Sequence, residues 1–268
     1  MFCLAALIPS PPVLVPDLCG GAAGAGMGPV PDPAEVPGAV ATPEAALNRL
    51  RAAVLGVGAA LAEATPHWTV LGVGPAEATY DADTVGTFRG FGVDVRVALG
   101  GPSADVSAAP DADLPLAVLI AAWLRGAVAP HAAATARMVA ADASMPRCAE
   151  IGAKLRAELD AADEPQGVLV VADGAATLST ASPGYFDPRA AQVQTELDRA
   201  ASAGDRSALL ALDPALCADL MVSGRAAYQA LAGLFAADSE PPAASERYRD
   251  APFGVGCFAG LWRPGGHR

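Results

Sequence analysis

The chain has 268 residues, of which 53% are hydrophobic and 17% are charged, and its formal net charge is −12. This balance excludes a largely disordered chain and predicts one domain with a substantial core. Acidic residues outnumber basic ones by 29 to 17. A broad basic surface for nucleic acid is therefore excluded, and no nucleic-acid partner is expected.

The cysteines and the first residues indicate where the protein resides. The five cysteines form no CxxC pair and no zinc-site spacing, and this isolation is typical of a reduced, cytoplasmic protein; they are Cys3, Cys19, Cys148, Cys217 and Cys257. The amino terminus has no basic segment, and prolines interrupt its apolar run, so we interpret it as a strand and not as a secretory signal. No uninterrupted apolar run reaches the roughly 18 residues of a membrane-spanning helix, so no membrane partner is expected.

The first part of the chain predicts two buried strands with a helix between them. Residues 2–8 (FCLAALI) form the first strand, which ends at a run of prolines. Residues 19–43 are rich in Gly, Ala and Pro and predict a flexible surface loop. Thr42 as N-cap and Pro43 in the first turn begin a helix that continues to about Glu63. A second strand follows at 67–75.

The middle of the chain predicts a further strand and two helices. Residues 91–99 alternate apolar with polar side chains, which is the pattern of a half-exposed strand. Residues 114–126 predict a buried helix, and residues 147–162 have the spacing of an amphipathic helix. Residues 127–146 show no hydrophobic periodicity that would assign them to a helix or a strand. His131, which lies among them, is expected to face solvent.

A buried strand at 167–172 (GVLVVA) ends at Asp173 and Gly174. Its continuous β-branched and apolar run predicts a strand that is covered on both faces. Ligands bind outside the carboxyl ends of strands in open α/β sheets, so Asp173 marks a candidate site. Asp-Gly is equally common in ordinary turns, and a purely structural turn at Asp173 therefore remains an alternative.

The last part predicts helices at 187–203 and 207–237, with Asp213-Pro214 as a break in the second one. A polar loop is expected at 238–250, and a last strand at 251–262. Because strands alternate with helices, the sequence predicts an α/β fold. We expect a single domain over residues 1–268, with a central mixed, mostly parallel sheet and helices on both faces.

Several segments together resemble a known family. They are AALIPSPPVLVP, VLGVGPAE, VLVVADGAATLS followed by PGYFDPRA, VSGRAAY, and FGVGCFAGLW. In this order the chain resembles the class III extradiol ring-cleavage dioxygenase superfamily, the LigB-like proteins to which the Memo-type proteins also belong. The resemblance covers most of the chain. It implies a LigB-like α/β domain whose site lies at the strand ends.

The resemblance also implies a metal site in active members, built from two histidines and a late Glu or Cys, with a further histidine for acid/base work. At the corresponding positions this chain has Ser10, Gly74, Leu178 and Ser223. Non-haem Fe(II) is held by two imidazoles and a carboxylate, and leucine cannot transfer a proton. The three histidines, His67, His131 and His267, stand at no predicted strand carboxyl end. No Fe(II) or Zn(II) cofactor is therefore expected.

The polar residues that remain near the implied pocket predict a degenerate protein that binds a small polar or aromatic molecule without transforming it. The candidate pocket residues are Ser10, Gly74, Asp173, Thr177, Leu178, Tyr185, Asp187, Ser223 and Arg225, with Tyr228 beside them. In the alternative structural interpretation, Asp187-Pro188 caps a helix, Arg225 pairs with a neighbouring carboxylate, and Ser223-Gly224 allows a helix to pack closely.

Three other functions remain open at this point. One is an active metal-dependent dioxygenase with non-standard ligands. Another is a hydrolase that uses Ser10 or Ser223, for which the sequence offers no histidine base and no GxSxG motif. The third is a protein-interaction scaffold, whose partner the sequence does not identify. An open cleft favours ligand binding, whereas a filled cleft beside a large exposed apolar patch favours the scaffold.

Overall fold

The computed structural model describes residues 1–19, 42–101 and 109–265. The predicted flexible loop at 19–43 falls, apart from its ends, outside the described residues, and so does His267. The strands within the described ranges are β1 (Phe2–Ile8), β2 (His67–Gly74), β3 (Ala78–Tyr80), β4 (Val85–Thr87), β5 (Arg96–Ala98), β6 (Ala133–Ala140), β7 (Gln166–Val171), β8 (Ala243–Asp250) and β9 (Cys257–Arg263). The helices are α1 (Pro43–Ala64), α2 (Leu116–Val128), α3 (Met145–Asp160), α4 (Ala190–Ala203), α5 (Arg206–Leu210), α6 (Pro214–Asp219) and α7 (Arg225–Leu234).

Seven strands form the central sheet in the order β3-β6-β2-β7-β1-β9-β8, and β4 and β5 form a separate pair. The neighbours β6, β2, β7 and β1 are parallel, while β3 and β9 run antiparallel to their neighbours. The predicted α/β class with a mixed, mostly parallel sheet is therefore confirmed. Strand β7 is buried along almost its whole length, as its apolar run predicts.

Helices cover both faces of the sheet, as the sequence predicts. On β1, the side chains of Ala6 and Ile8 face a core that α1 and α2 complete. The alternate residues Ala5 and Leu7 face a second core that α3, α4 and α7 complete. Because successive residues of a strand point to opposite faces, a strand between two helical layers must be apolar at every position.

Helix α1 begins as predicted, since the Thr42 hydroxyl accepts a hydrogen bond of 3.2 Å from the Ala45 N–H. Among the described helices it is the one that is long and apolar enough to cross a membrane by length and composition. Its residues Leu50, Val54 and Leu61 are fully buried in the first core. This packing is typical of a core helix in a soluble domain. A cytoplasmic location stays a prediction.

Two segments differ from the prediction because their local patterns are ambiguous. The unassigned residues 127–146 contain β6, an interior strand whose Ala-rich sequence carries little strand preference. The predicted polar loop at 238–250 is wrong over most of its length, because residues 243–250 form β8 at the edge of the sheet. Charged side chains along an edge strand oppose pairing with other chains, and they also make it resemble a loop in sequence.

Two further boundaries are corrected. Only Arg96–Ala98 of the predicted strand 91–99 is a strand, because a short 3-10 helix (Phe88–Phe91) precedes it and ends at Gly92. Gly92 has a φ of 93°, a left-handed conformation that glycine adopts readily. The predicted helix 207–237 is three helices, α5, α6 and α7. At the predicted break, the Asp213 carboxylate accepts a hydrogen bond of 2.8 Å from the Leu216 N–H.

Candidate functional site

A cavity of about 590 Å³ opens at the carboxyl ends of β1 and β7. Its walls come from the residues that follow these two strands, from α6 and the turn before α7, and from the segment before β9. A smaller cavity of about 250 Å³ adjoins it and extends to Val73 near the end of β2. The two share Ser10, Asp173 and Ser223 in their walls. This is the edge of the sheet at which α/β proteins bind ligands.

Asp173 and Ser10 are bonded to each other in the floor of the cleft. The Ser10 N–H donates to Asp173 Oδ1 at 2.7 Å, and the Ser10 hydroxyl donates to Oδ2. Both oxygens of the Asp173 carboxylate thus accept hydrogen bonds from the residue that follows the neighbouring strand β1. Neither oxygen bonds to the turn that follows β7. Burial raises the pKa of Asp173 above its usual range, although the two hydrogen bonds from Ser10 act in the opposite direction.

Arg225 lies in the wall of the cleft with 5% of its surface exposed. Its Nη1 donates to the Ala143 carbonyl at 2.6 Å and to Gln229 Oε1 at 3.0 Å, and its Nη2 donates to the Ala141 carbonyl at 2.5 Å. The acceptors that the described residues offer to the guanidinium are all uncharged. The alternative in which Arg225 pairs with a carboxylate is therefore wrong, because the loop after β6 supplies carbonyl oxygens instead.

Ser223 is exposed and lines both cavities, but Gly74 and Leu178 line neither. Gly74 is buried at the end of β2, where its carbonyl accepts a hydrogen bond of 3.0 Å from the Ala141 N–H. Leu178 packs against the second core. Tyr228 is buried, and its hydroxyl donates to the Ala172 carbonyl at 3.1 Å. Of these four residues, Ser223 alone is placed to contact a bound molecule.

The remaining candidates also lie away from the cavity walls. The Thr177 hydroxyl is buried and donates to the Leu220 carbonyl at 3.3 Å. Tyr185 is 97% exposed. Asp187 accepts hydrogen bonds from the Arg189 side chain and N–H, and this arginine lowers the pKa of its carboxyl. Asp187 therefore organises the turn before α4. The alternative in which it caps this helix is wrong, because the N-cap position is Arg189 and no side chain caps α4.

The sequence did not reveal most of the cleft wall, because that wall is apolar and comes from loops and short helical segments. Its main members are Pro11, Pro12, Val13, Leu116, Cys217, Met221, Val222, Phe253 and Val255. The one local signal was the run of apolar and proline residues directly after β1. The part that α6 contributes was not predicted, because the sequence indicated one long helix over residues 207–237.

The side chains around the cleft do not fit the ligand set that Fe(II) needs. His67 stands at the amino end of β2, where its Nε2 lies 2.6 Å from Glu164 Oε2, and His131 is exposed before β6. Burial raises the pKa of the Cys217 thiol to about 11, so this sulfur is protonated at neutral pH. In the described part of the chain, no three His, Cys, Asp or Glu side chains group closely enough to hold a metal ion.

Comparison with known proteins supports the fold alone. No protein-family model matches the chain, and no curated protein matches it in sequence. Among solved structures, the chain is similar to an uncharacterized protein, JW3007, from Escherichia coli K12, with a TM-score of 0.54 and 10% sequence identity. The match covers 97% of this chain and 99% of that chain. The fold and the cleft therefore define an α/β domain with a pocket at the carboxyl edge of its sheet.

Proposed function

We propose that this protein is a degenerate member of the class III extradiol dioxygenase superfamily, which binds a small organic molecule in its strand-end cleft and does not cleave aromatic rings. The cavity of about 590 Å³ carries the binding part of this proposal, and the resemblance of the strand-end segments supports the superfamily. Small-molecule sites typically have volumes of about 300–1,000 Å³, apolar walls and a few polar groups. Here the walls are mainly apolar, and Ser10, Asp173, Ser223 and Arg225 supply the polar groups.

The open cleft favours binding over the scaffold alternative. A scaffold that had lost its pocket would be expected to fill the cleft, for example with the side chain of the candidate pocket residue Leu178. Leu178 is half-buried and packs against the second core instead. The apolar side chain of Met221 is exposed and also lines the cavity. The exposed apolar surface at Met221 therefore belongs, at least in part, to the mouth of the cleft.

The polar groups of the cleft favour binding over hydrolysis as well. A serine nucleophile needs a base that removes its proton. The Ser10 hydroxyl donates to Asp173, and a carboxylate is a weak base for an alcohol even where burial raises its pKa. The Ser223 side chain has no hydrogen-bond partner among the described residues, and both described histidines stand at the opposite edge of the sheet. The hydroxyls are therefore better suited to hold a ligand than to attack one.

A fluorescence titration with the neutral dye N-phenyl-1-naphthylamine tests the proposal. The wild-type protein should bind the dye at one saturable site. Ala218 is exposed on α6 and lines the cavity, whereas Ala215 is exposed on the same helix and does not. Ala218→Trp places an indole in the cavity and should weaken dye binding by about tenfold or more. Ala215→Trp should leave it unchanged. Equal dye affinity in all three proteins would refute the proposal.

A further inference from the structure

Two wall segments of the cleft are hydrogen-bonded to each other. They are residues 173–176, which follow β7, and residues 253–256, which precede β9. The Gly174 N–H donates to the Gly256 carbonyl at 2.8 Å, and the Gly256 N–H donates to the Ala175 carbonyl at 2.9 Å. Each segment contributes two residues to the cavity wall, which are Asp173, Ala176, Phe253 and Val255. The way in which these two segments are held together therefore shapes the cleft.

The side chain of Gln194 on α4 packs against both segments. It is buried, and its Oε1 accepts a hydrogen bond of 2.8 Å from the Ala175 N–H. A Cβ atom at Gly174 would lie 2.1 Å from Gln194 Oε1, and one at Gly256 would lie 2.1 Å from Gln194 Cδ. Because both positions are glycine, the amide group can approach the two backbones closely. One side chain thus contacts both wall segments.

Asp198, one helical turn further along α4, determines which way this amide group points. Gln194 Nε2 donates to Asp198 Oδ1 at 2.8 Å. An amide turned over would place its NH2 group against the Ala175 N–H and its oxygen against the carboxylate, and both contacts are repulsive. An ionised Asp198 therefore permits one orientation. A protonated Asp198 can donate to the amide oxygen, so the turned orientation becomes accessible and leaves the Ala175 N–H without its acceptor.

Asp198 also faces charged and titratable groups on three other elements. Arg249 and Glu246 on β8 act on it in opposite directions, and their side chains form an ion pair of 3.5 Å. Tyr228 on α7 and Cys257 on β9 interact with its charge, and burial raises the pKa of both groups, so both are neutral at neutral pH. Burial raises the pKa of Asp198 to about 6. Asp198 is therefore mostly ionised near pH 7.5 and mostly protonated near pH 5.

We propose that Gln194 is a positioning residue of the cleft, and that Asp198 couples the shape of the cleft to its own charge. With Asp198 ionised, the amide group holds the two wall segments in the arrangement that forms the cavity. With Asp198 neutral, this hold is partly lost and the cleft binds its ligand more weakly. The inference rests on the proposed binding function and adds its control by pH. Because the ionised form of Asp198 destabilises the folded chain, affinity and stability should change in opposite directions.

Titration of the neutral dye N-phenyl-1-naphthylamine near pH 7.5 and near pH 5 tests the coupling. The wild-type affinity should fall about threefold or more at the lower pH, because the amide group loses its single orientation. Asp198→Asn should show the lower affinity at both pH values, although it is expected to be the more stable protein near pH 7.5. Glu196→Gln alters an exposed carboxylate on the same helix and should behave like the wild type.

The comparison with Asp198→Asn also separates the titration of Asp198 from that of Asp173, which lines the same cavity. A pH dependence that persists unchanged in Asp198→Asn would overturn the coupling. So would a wild-type affinity that is the same at both pH values.

A second variant and a second measurement test the role of Gln194. Methionine has about the length of glutamine but makes neither hydrogen bond, so Gln194→Met should bind the dye about threefold or more weakly at both pH values. Hydrogen exchange near pH 7.5, followed by mass spectrometry, reports on residues 173–176 without any ligand. Exchange there should be about threefold or more faster in Gln194→Met and Asp198→Asn than in Glu196→Gln.

The two measurements distinguish failure of this inference from failure of the proposed function. Unchanged exchange in both variants would refute the positioning role, whether or not the dye binds. If no protein binds the dye, the proposed binding function falls, and faster exchange in the two variants would still support the hold of Gln194 on the wall segments.

Discussion

Helices α3 and α7 pack so closely at Gly152 that a methyl group has no room there. A Cβ atom at this position would lie 2.6 Å from the backbone nitrogen of Leu234 and closer still to the carbonyl oxygen of Ala230. A Cβ atom at Gly233 on the facing helix would lie 2.7 Å from Ala149 Cα. These neighbours are backbone atoms that cannot rotate away, so the helices themselves must move apart. We therefore predict that Gly152→Ala destabilises the protein.

The magnitude follows from two opposing effects. Overpacking of a close-packed core costs about 1–3 kcal/mol, and a clash with backbone lies at the upper end of that range. Alanine in place of glycine inside a helix contributes about 0.5–1 kcal/mol of stability. The net loss in the free energy of unfolding should therefore be about 2 kcal/mol.

Urea denaturation followed by circular dichroism measures this loss, and Gly56→Ala is the matched control. Gly56 is exposed within α1, and a Cβ atom there meets nothing within 4 Å. The control should therefore gain about 0.5–1 kcal/mol. Because α7 begins at the cleft, Gly152→Ala should also weaken dye binding, while Gly56→Ala should not. If Gly152→Ala were as stable as the wild type, the helix contact would be looser than the structure shows and the reasoning would be refuted.

Two predictions concern protons and metals. Burial raises the pKa of Asp198 to about 6, and its Oδ1 accepts a hydrogen bond of 2.8 Å from Gln194 Nε2. The folded protein thus keeps a proton that the unfolded chain loses near pH 4, so stability falls as pH rises from about 4 to 6. Between pH 4.5 and 7.5, the free energy of unfolding of Asp198→Asn should increase relative to that of the wild type by about 1–2 kcal/mol, after allowance for solvent screening. A difference between the two proteins that does not change with pH would contradict this. Protein expressed with added Fe(II) or Zn(II) should contain far less than one metal ion per chain by elemental analysis, and tightly held stoichiometric metal would instead favour the active dioxygenase.

The sequence alone was sufficient to identify the strands and helix starts whose patterns involve only neighbouring residues. The apolar runs of β1, β2 and β7 identify strands because a strand between two helical layers must be apolar at every position. Thr42 and Asp213 identify helix starts because each side chain bonds a backbone N–H only three residues away. The end of β7 pointed to the edge of the sheet at which the cavity lies, since ligand sites in α/β folds depend on strand direction. Local patterns could not distinguish β6 or β8 from loops.

Only the tertiary structure decided what Asp173 and Arg225 contact. Asp173 meets Ser10, which is 163 positions away, because β1 and β7 are neighbours in the sheet. Arg225 meets carbonyls of the loop after β6, 82 and 84 positions away. Thr177 and Tyr185 fall outside the cavity although they follow the same strand. Strand order brings distant residues together, and the packing of loops decides which polar side chains face the cleft. Neither the strand order nor the packing of the loops can be deduced from a local sequence pattern.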